Sequence, residues 1–243
     1  MKPIVAILAG GLGTRLTEET IIKPKPMVEI GGKPILWHIM KTYAHYGFNE
    51  FVIAAGYKGE TIHDYFESDP EVTQEDWIVT ILNTGLDTQI SGRIRRILEH
   101  TKDRTFLTYG DGLANINIKD LLWFHKYQGK MATITVVRPP SRFGQVFFDQ
   151  RDGKTITKVD EKPLQGSYIN GGFMVLEPEI LTVGDFADDE IFEQVYLPKL
   201  AEMGQLNGYI HDGFWQCMDT IRERDILNEM WETGNAKWRV WHD

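Results

Sequence analysis

The sequence of 243 residues contains a single cysteine, Cys217. One cysteine excludes an internal disulfide and any zinc site built from several cysteines, and it is compatible with a reducing compartment. The histidines, His38 and His45 among them, do not occur at spacings typical of metal ligands. No set of serine, histidine and aspartate indicates a catalytic triad. Any chemistry of this chain therefore depends on other residue types.

Long apolar runs and basic runs are absent too. No run approaches the ~18 apolar residues that a transmembrane helix needs, and the apolar N-terminal stretch leads into glycines and Arg15 rather than a signal-peptide cleavage site. The net charge is −9, from 35 acidic and 26 basic residues, without a lysine- or arginine-rich segment. Nucleic-acid backbones are bound by such segments. We therefore expect a cytoplasmic protein that binds neither membrane nor nucleic acid.

What the sequence does contain is an alternation of strand-like and helix-like segments. Ile4–Ala9 is continuously apolar, which is typical of a strand covered on both faces. This alternation predicts an α/β fold with a mixed, mostly parallel sheet and helices on both faces. Further strands are predicted at 51–56, 77–85, 105–112 and 131–139, and helices at 34–46, 60–66, 93–100 and 118–127.

Past residue 140 the pattern changes to shorter strands. The segments "QVFFD" and "TITKVDEKP" flank a "DGK" turn at Asp152–Lys154, which predicts a hairpin. A strand "INGGFMVLEP", a helix over 188–203 and an amphipathic helix over Ile221–Glu232 follow. We therefore predict one domain, residues 1–243, in which residues 141–243 extend the sheet begun by residues 1–140.

The stretch "ILAGGLGTRL" places three glycines directly after the first strand. It is not a Walker loop, and it departs from the dinucleotide fingerprint because Leu16 stands where the third glycine is needed. What remains are backbone N–H groups, the Thr14 hydroxyl and the Arg15 guanidinium, which together suit a phosphate. A tight turn beside a surface arginine is the alternative.

The stretch "KPKPMVEIGGKPIL" begins with two lysines, each followed by proline. Proline restricts the backbone, so it holds Lys23 and Lys25 on a semi-rigid segment. A lysine held in this way can neutralise a phosphate at little ordering cost. The alternative is a solvated loop, since lysines are mostly exposed.

The two stretches together, "LAGGLGTRL" and "KPKPM", resemble the signature of the sugar-phosphate nucleotidyltransferases, the nucleoside-diphosphate-sugar pyrophosphorylases. "YGDG" at 109–112, "EKP" at 161–163, "NGGF" at 170–173 and "WQCMDT" at 215–220 match the same family, so the resemblance covers the whole chain. It implies a three-layer Rossmann-like fold, with a nucleotide-binding half at 1–140 and a small β-rich, sugar-binding extension in 141–243. The motifs are most similar to members that use CTP and glucose 1-phosphate, although the segment between Phe66 and Trp77 looks shorter than theirs.

The resemblance implies a reaction as well as a fold. An oxygen of α-D-glucose 1-phosphate attacks the α-phosphorus of CTP with the help of Mg²⁺, giving CDP-glucose and pyrophosphate. That phosphate is already largely dianionic near pH 7, because its second pKa is about 6, so no general base is required. Catalysis then depends on positioning and charge neutralisation. The family resemblance also implies a homo-oligomer. Alternatives are another nucleotide (UTP or dTTP), another sugar phosphate, a non-catalytic nucleotide-sugar sensor, or a glycosyltransferase.

The resemblance also assigns roles to individual residues. Arg15 and Lys25 are the catalytic cations, and Asp111 and Asp219 are the Mg²⁺ ligands, since Mg²⁺ prefers carboxylate and phosphate oxygens. A plain turn for Asp111 and a helix N-cap for Asp219 are the structural alternatives. The implied nucleotide-binding residues are Leu8, Ala9, Gly10, Gly11, Leu12, Gly13, Thr14, Arg15, Lys25, Thr84, Gly85, Arg93 and Gly110. The implied sugar-phosphate-binding residues are Tyr109, Glu161, Lys162, Asn170, Gly171 and Trp215.

Overall fold

A seven-stranded sheet lies at the centre of the protein. The structure is a computed structural model, and it describes residues 2–11, 20, 23–70, 72–139, 144–160 and 166–242. The described residues form strands numbered along the chain as β1 (Ile4–Ala9), β2 (Glu29–Ile30), β3 (Lys33–Pro34), β4 (Glu50–Ala55), β5 (Ile78–Asn83), β6 (Thr105–Tyr109), β7 (Gly112–Ala114), β8 (Ala132–Val137), β9 (Gln145–Phe148), β10 (Ile156–Asp160), β11 (Ile169–Leu176), β12 (Leu206–Ile210) and β13 (Trp215–Cys217).

Helices connect most of these strands. The described α-helices are α1 (Ile35–His45), α2 (Gly59–Ser68), α3 (Ile90–Thr101), α4 (Ile118–Gln128), α5 (Phe192–Glu202) and α6 (Ile221–Glu232). Short 3-10 turns occur at Lys25–Met27, Val72–Gln74 and Pro178–Val183. None of these helices is both long and apolar enough to cross a membrane.

The central sheet has the strand order β12-β8-β11-β6-β1-β4-β5. Pairing is parallel between β1 and its neighbours β4 and β6, between β4 and β5, and between β8 and β12. Strand β11 runs antiparallel to both β6 and β8. The prediction of a mixed, mostly parallel sheet is therefore confirmed. Strand β8, from the first half of the chain, lies between β11 and β12 from the second half.

Apolar cores cover both faces of this sheet. Val5 and Ile7 of β1 pack into one core with residues of α1, α2, α4 and α6, whereas Ala6 packs into the other with residues of α3 and α5. All three side chains are fully buried. Because successive side chains of a strand point to opposite faces, a continuously apolar strand is what a sheet between two helix layers needs. Helices on both faces are thus confirmed.

Most element boundaries agree with the sequence to within a few residues, and α6 spans the predicted Ile221–Glu232. The helix predicted over 188–203 begins only at Phe192. Its first residues instead bond to the start of α3, where Gln89 N donates to Asp188 O and Ser91 N to Glu190 O. The strand predicted over 105–112 ends at Tyr109, because the chain turns there and β7 pairs with β13.

Candidate active site

The carboxyl ends of β1, β4, β5 and β6 meet at one edge of the sheet. In open α/β sheets this edge leaves a crevice between the strand-to-helix loops, and ligands bind there. A cavity of about 570 Å³ opens at this edge. It is lined by the last residues of β1 and β6 and those that follow them, by the loop between β5 and α3 with the start of α3, and by Lys25, Pro26 and Asp219.

One ammonium group joins two carboxylates in the wall of this cavity. Lys25 Nζ lies 2.6 Å from Asp111 Oδ2 and 2.5 Å from Asp219 Oδ1. A two-stranded ribbon brings the carboxylates together, since β7 pairs with β13 and Met218 N donates to Asp111 O at 2.8 Å. Residues 108 positions apart in the chain therefore share one cation.

The position of Lys25 is fixed by the prolines on either side. Pro24 is extended, with φ −66° and ψ 151°, and Pro26 is buried inside the 3-10 turn Lys25–Met27. The Lys25 side chain is only 12% exposed. Burial by itself lowers the pKa of Lys25, but the Asp111 and Asp219 carboxylates outweigh it and hold that pKa above its ordinary value. For Lys25 the solvated-loop alternative is wrong.

Asp219 is not the cap of the last helix. The N-cap of α6 is Thr220, whose hydroxyl accepts from Glu223 N, while the Glu223 carboxylate accepts from Thr220 N in return. This capping box leaves the Asp219 carboxylate to face Lys25 and the cavity. The N-cap alternative considered for Asp219 is thus wrong.

The Asp111 and Asp219 pair fits Mg²⁺. Mg²⁺ is bound in many phosphoryl-transfer sites by one or two carboxylates together with substrate phosphates and water. The convergence of both side chains on one ammonium shows that this position already attracts a cation. Among the described residues, no group of three or more histidine, cysteine, aspartate or glutamate side chains could form a metal site from protein ligands alone.

Arg93 lines the cavity although only 4% of its surface is exposed. Its guanidinium donates to Ala55 O, to Gly10 O and to the Thr84 hydroxyl, which lie at the ends of three different strands. Burial lowers the pKa of Arg93, and the nearby Arg96 lowers it further. Arg93 therefore joins β1, β4 and β5 at the edge where the cavity opens.

The first two glycines of the N-terminal loop have different reasons to be glycine. A Cβ on Gly10 would lie 1.9 Å from an Arg93 nitrogen, so this glycine makes room for the guanidinium. A Cβ on Gly11 would meet no atom within 4 Å, and Gly11 lines the cavity. The expectation that these glycines allow a ligand to approach therefore remains for Gly11, whereas Gly10 is needed for packing.

A second group of predicted residues adjoins the cavity through Tyr109. The Asn170 side chain donates from Nδ2 to the Tyr109 hydroxyl at 3.2 Å. Trp215 Nε1 donates to Gly171 O at 2.8 Å. Asn170, Gly171 and Trp215 are therefore connected to one another and to the cavity wall.

The structure brings most of the described site residues together. Those lining the cavity are Leu8, Ala9, Gly10, Gly11, Lys25, Arg93, Tyr109, Gly110, Asp111 and Asp219. Thr84 and Gly85 lie beside Arg93 at the end of β5. Predicted residues that fall outside the described part of the chain are Leu12, Gly13, Thr14, Arg15, Glu161 and Lys162.

The sequence interpretation missed the loop between β5 and α3. Leu86, Asp87, Thr88 and Gln89 of this loop line the cavity, as do Ile90, the first residue of α3, and Pro26. One signal could have found them, because a loop from the carboxyl end of a parallel strand to the next helix lies at the ligand-binding edge.

Comparison with known proteins agrees with this geometry. Residues 4–240 match the family model described as nucleotidyl transferase. The chain is 48% identical over 256 residues to the glucose-1-phosphate cytidylyltransferase of Salmonella typhimurium, covering 97% of this chain and 98% of that protein. It is 28% identical over 232 residues to the mannose-1-phosphate guanyltransferase of Kluyveromyces lactis, covering 91% and 62%. A solved structure of apo-UDP-glucose pyrophosphorylase superposes with a TM-score of 0.73 at 14% identity, over 96% of this chain and 99% of that one, which shows the fold alone.

Proposed function

The chain belongs to the nucleotidyl transferase family, and from this premise we propose that it transfers the cytidylyl group of CTP to α-D-glucose 1-phosphate, giving CDP-glucose and pyrophosphate. The choice of substrates rests on the similarity to the Salmonella typhimurium enzyme over nearly the whole length of both chains. The family resemblance predicted from the sequence motifs is confirmed.

One observation carries the reaction type, namely that Lys25, Asp111 and Asp219 converge in the cavity wall. A site that joins two phosphorylated substrates has to counter their mutual repulsion with cations. Here one cation is built into the chain, and two carboxylates are placed to hold a second. A pure binding module has no need for both.

In the proposed reaction an oxygen of the sugar phosphate forms a bond to the α-phosphorus of CTP, while the bond from that phosphorus to the bridging oxygen breaks and pyrophosphate leaves in line. Asp111 and Asp219 would hold Mg²⁺, which when bound neutralises charge on the phosphates. Lys25, released from the carboxylates, would contact the transferring α-phosphate. Arg15 and Lys162 are assigned to the triphosphate and to the sugar phosphate by family resemblance.

The base of CTP belongs, in this proposal, at the end of the cavity nearest to Arg93. Residues Leu8 to Gly11 line the cavity together with Arg93, and the Thr84 hydroxyl accepts a hydrogen bond from the Arg93 guanidinium. Cytosine offers an amino donor where uracil and thymine offer a carbonyl acceptor, so polar atoms fixed there can discriminate strongly between them. Arg93 fixes these atoms by bonding three strand ends at once.

The sugar phosphate belongs on the other side of Asp111, next to Tyr109, Asn170, Gly171 and Trp215. Glu161 and Lys162 complete this subsite by resemblance. The nucleotide-binding half is then 1–140 and the sugar-binding half 141–243, two functional halves of one folded domain.

Assembly with further copies of the chain and a cytoplasmic location complete the proposal. Apolar side chains of the β9–β10 hairpin support assembly, because Phe148 is 52% and Val159 62% exposed. The single cysteine supports a reducing compartment. Light scattering after size-exclusion chromatography would measure the assembly, and a monomer at all concentrations would refute it.

The test of the reaction is pyrophosphate release in the presence of Mg²⁺. CTP, UTP, dTTP, ATP and GTP are each combined with several sugar 1-phosphates, with excess chelator as the control. We expect release from CTP with glucose 1-phosphate, and its loss with chelator. Pyrophosphate release confined to another pair would correct the assignment of the substrates, while the proposed mechanism would be retained.

If no pair of substrates released pyrophosphate, the proposed reaction would be refuted and a non-catalytic nucleotide-sugar sensor would be favoured. Exchange of labelled pyrophosphate into CTP separates the proposed reaction from a glycosyltransferase, because only the reversible nucleotidyl transfer incorporates the label.

A further inference from the structure

Glu193 lies in the first turn of α5 and is absent from every motif that the sequence offered. Its Oε1 accepts a hydrogen bond from the Tyr109 hydroxyl. Its Oε2 is buried, and no described residue donates a hydrogen bond to it. Burial of a half-paired carboxylate costs stability, and such groups call for an explanation. Packing alone therefore does not account for a glutamate at this position.

The partner of Glu193 is part of the cavity wall. Tyr109 ends β6, two residues before Asp111, and lines the cavity. Its hydroxyl group donates a hydrogen bond to Glu193 Oε1 and accepts one from Asn170 Nδ2. The Asn170 Oδ1 in turn accepts from Gly172 N at 3.0 Å. Four residues are thus joined from α5 to the beginning of β11.

The far end of this chain of hydrogen bonds is a bulge. The register of β11 against β8 shifts between Asn170 and Met174, and Gly172 has a φ of +86°. The Tyr109 ring packs against that glycine so closely that a Cβ there would lie 2.4 Å from a ring carbon. Bulges redirect side chains and backbone at active sites. The Tyr109 ring therefore helps to set the shape of the Asn170–Gly172 bulge.

A carboxylate at position 193 fixes the direction of every hydrogen bond in the series from Glu193 to Gly172. Glu193 Oε1 accepts from the Tyr109 hydroxyl, so that hydroxyl presents its lone pairs to Asn170. The Asn170 amide then has its nitrogen toward Tyr109, which leaves its oxygen for Gly172 N. An apolar residue at 193 would leave the Tyr109 hydroxyl free to rotate and the Asn170 amide free to turn over.

We propose that Glu193 is a positioning residue for the sugar 1-phosphate: through Tyr109 it fixes the Asn170–Gly172 bulge that shapes the sugar subsite. Glu193 itself does not contact the substrate, because its free oxygen is buried. The inference rests on the proposed function, in which that bulge adjoins the sugar phosphate. It requires that loss of Glu193 weakens the use of the sugar phosphate and leaves the use of CTP unchanged.

The test compares steady-state constants of single variants and of the double variant. We expect Glu193→Leu and Tyr109→Phe each to raise KM for glucose 1-phosphate by about tenfold and KM for CTP by less than about twofold. Combining them should raise KM little beyond the larger single effect, because both break one chain of hydrogen bonds. Glu193→Gln should stay within about threefold of the wild type, since its carbonyl oxygen can still accept.

Tyr196→Phe is the matched control. Tyr196 lies on the same helix, and its hydroxyl donates to Glu190 at 2.6 Å, away from the cavity. This variant should lower the melting temperature and leave both KM values unchanged. Tyr109→Phe keeps the shape of the side chain, so it tests the inference even where Glu193→Leu fails to fold.

The outcomes separate this inference from the proposed function. A wild-type protein that releases no pyrophosphate from CTP and glucose 1-phosphate would refute the proposed function. An active wild type would refute the role of Glu193 alone if the variants kept the normal KM for glucose 1-phosphate, if both KM values rose together, or if Gln at 193 were as damaging as Leu.

Discussion

Replacing Lys25 with methionine removes the cation that lies between Asp111 and Asp219. Methionine has a similar length and packs among apolar groups, so the change is mainly one of charge. The two carboxylates are then left to repel each other at a site only 29% and 22% exposed. Any other cation that binds between the two carboxylates relieves this repulsion. We therefore expect Lys25→Met to bind a divalent metal more tightly than the wild type when no nucleotide is present.

The size of this effect follows from the two hydrogen bonds of Lys25, to Asp111 and to Asp219, which a metal has to break in the wild type but not in the variant. A hydrogen bond to a charged group contributes about 1.5–3 kcal/mol net. Because the carboxylates remain partly exposed, the lower end applies, which gives about 3 kcal/mol for both bonds. Hydration of the displaced ammonium offsets part of this free-energy cost. An increase in metal affinity of about 10- to 100-fold, equal to about 1.4–2.8 kcal/mol, is therefore expected.

When CTP is present, we expect Lys25→Met to weaken the binding of metal and nucleotide together. In the proposed mechanism the Lys25 ammonium then contacts the α-phosphate, so its loss removes a favourable charge. Removing one group that stabilises developing charge costs about 10²–10³ in turnover. The variant should thus bind metal better by itself, bind CTP with metal less well, and turn over at least about a hundredfold more slowly.

The assay is a titration with Mn²⁺, a paramagnetic substitute for Mg²⁺, followed by electron paramagnetic resonance with and without CTP. Lys23→Met is the matched control, because Lys23 lies two residues away and pairs with Glu29 at 2.8 Å. It should change neither metal affinity nor turnover by more than about twofold. Circular dichroism verifies that each variant is folded.

Two results would refute this reasoning. Equal or weaker Mn²⁺ binding by Lys25→Met without CTP would show that the ammonium and the metal do not compete for the carboxylates. Nearly normal turnover of the same variant would remove the central role given to Lys25.

Two further predictions concern the metal site and the interior. Asp111→Asn should weaken Mn²⁺ binding and abolish Mg²⁺-dependent turnover in a folded protein, and unchanged turnover across a Mg²⁺ titration would contradict its role as a ligand. Burial lowers the pKa of His38 from 6.5 to about 4, whereas the unfolded chain takes up this proton near 6.5. Stability should therefore fall as the pH drops from 6.5 to 4, by at most about 1.4 kcal/mol per pH unit from this group. Urea titrations monitored by tryptophan fluorescence should show a weaker decline for His38→Gln, and identical declines for the two proteins would exclude His38 as the cause.

The parts of the fold that depend on local pattern could be predicted from the sequence. A strand buried on both faces is continuously apolar, as in β1, and an amphipathic helix such as α6 shows its period directly. The edge of the sheet that holds the cavity also follows from the alternation of strands and helices. Lys25 and Asp111 could be proposed because a motif singled them out.

The remaining features depend on contacts between distant segments. Gly10 is glycine because of Arg93, 83 residues further on, and no local pattern indicates that. The pairing of β7 with β13 brings Asp219 close to Asp111 and Lys25, whereas the Thr220 cap follows a local pattern, since Glu223 stands three residues after it. Glu193 was missed because its contact with Tyr109 joins distant segments of the chain. In the sequence alone, a single glutamate at the start of a helix is explained by the favourable effect of a negative charge near the helix N-terminus.

One reversed strand determines how far the specificity of this protein can be redesigned. Strand β11 runs against its neighbours, so it begins where β6 ends, and Gly172 meets Tyr109 there. It is also an interior strand of the sheet, with β8 from the first half on its other side. Exchanging residues 141–243 with those of a relative would replace an interior strand and one edge strand of the central sheet. The graft would have to rebuild three strand pairings there, namely β11 with β6, β11 with β8 and β12 with β8. A change of sugar is therefore better sought by point substitutions around the bulge than by recombining halves.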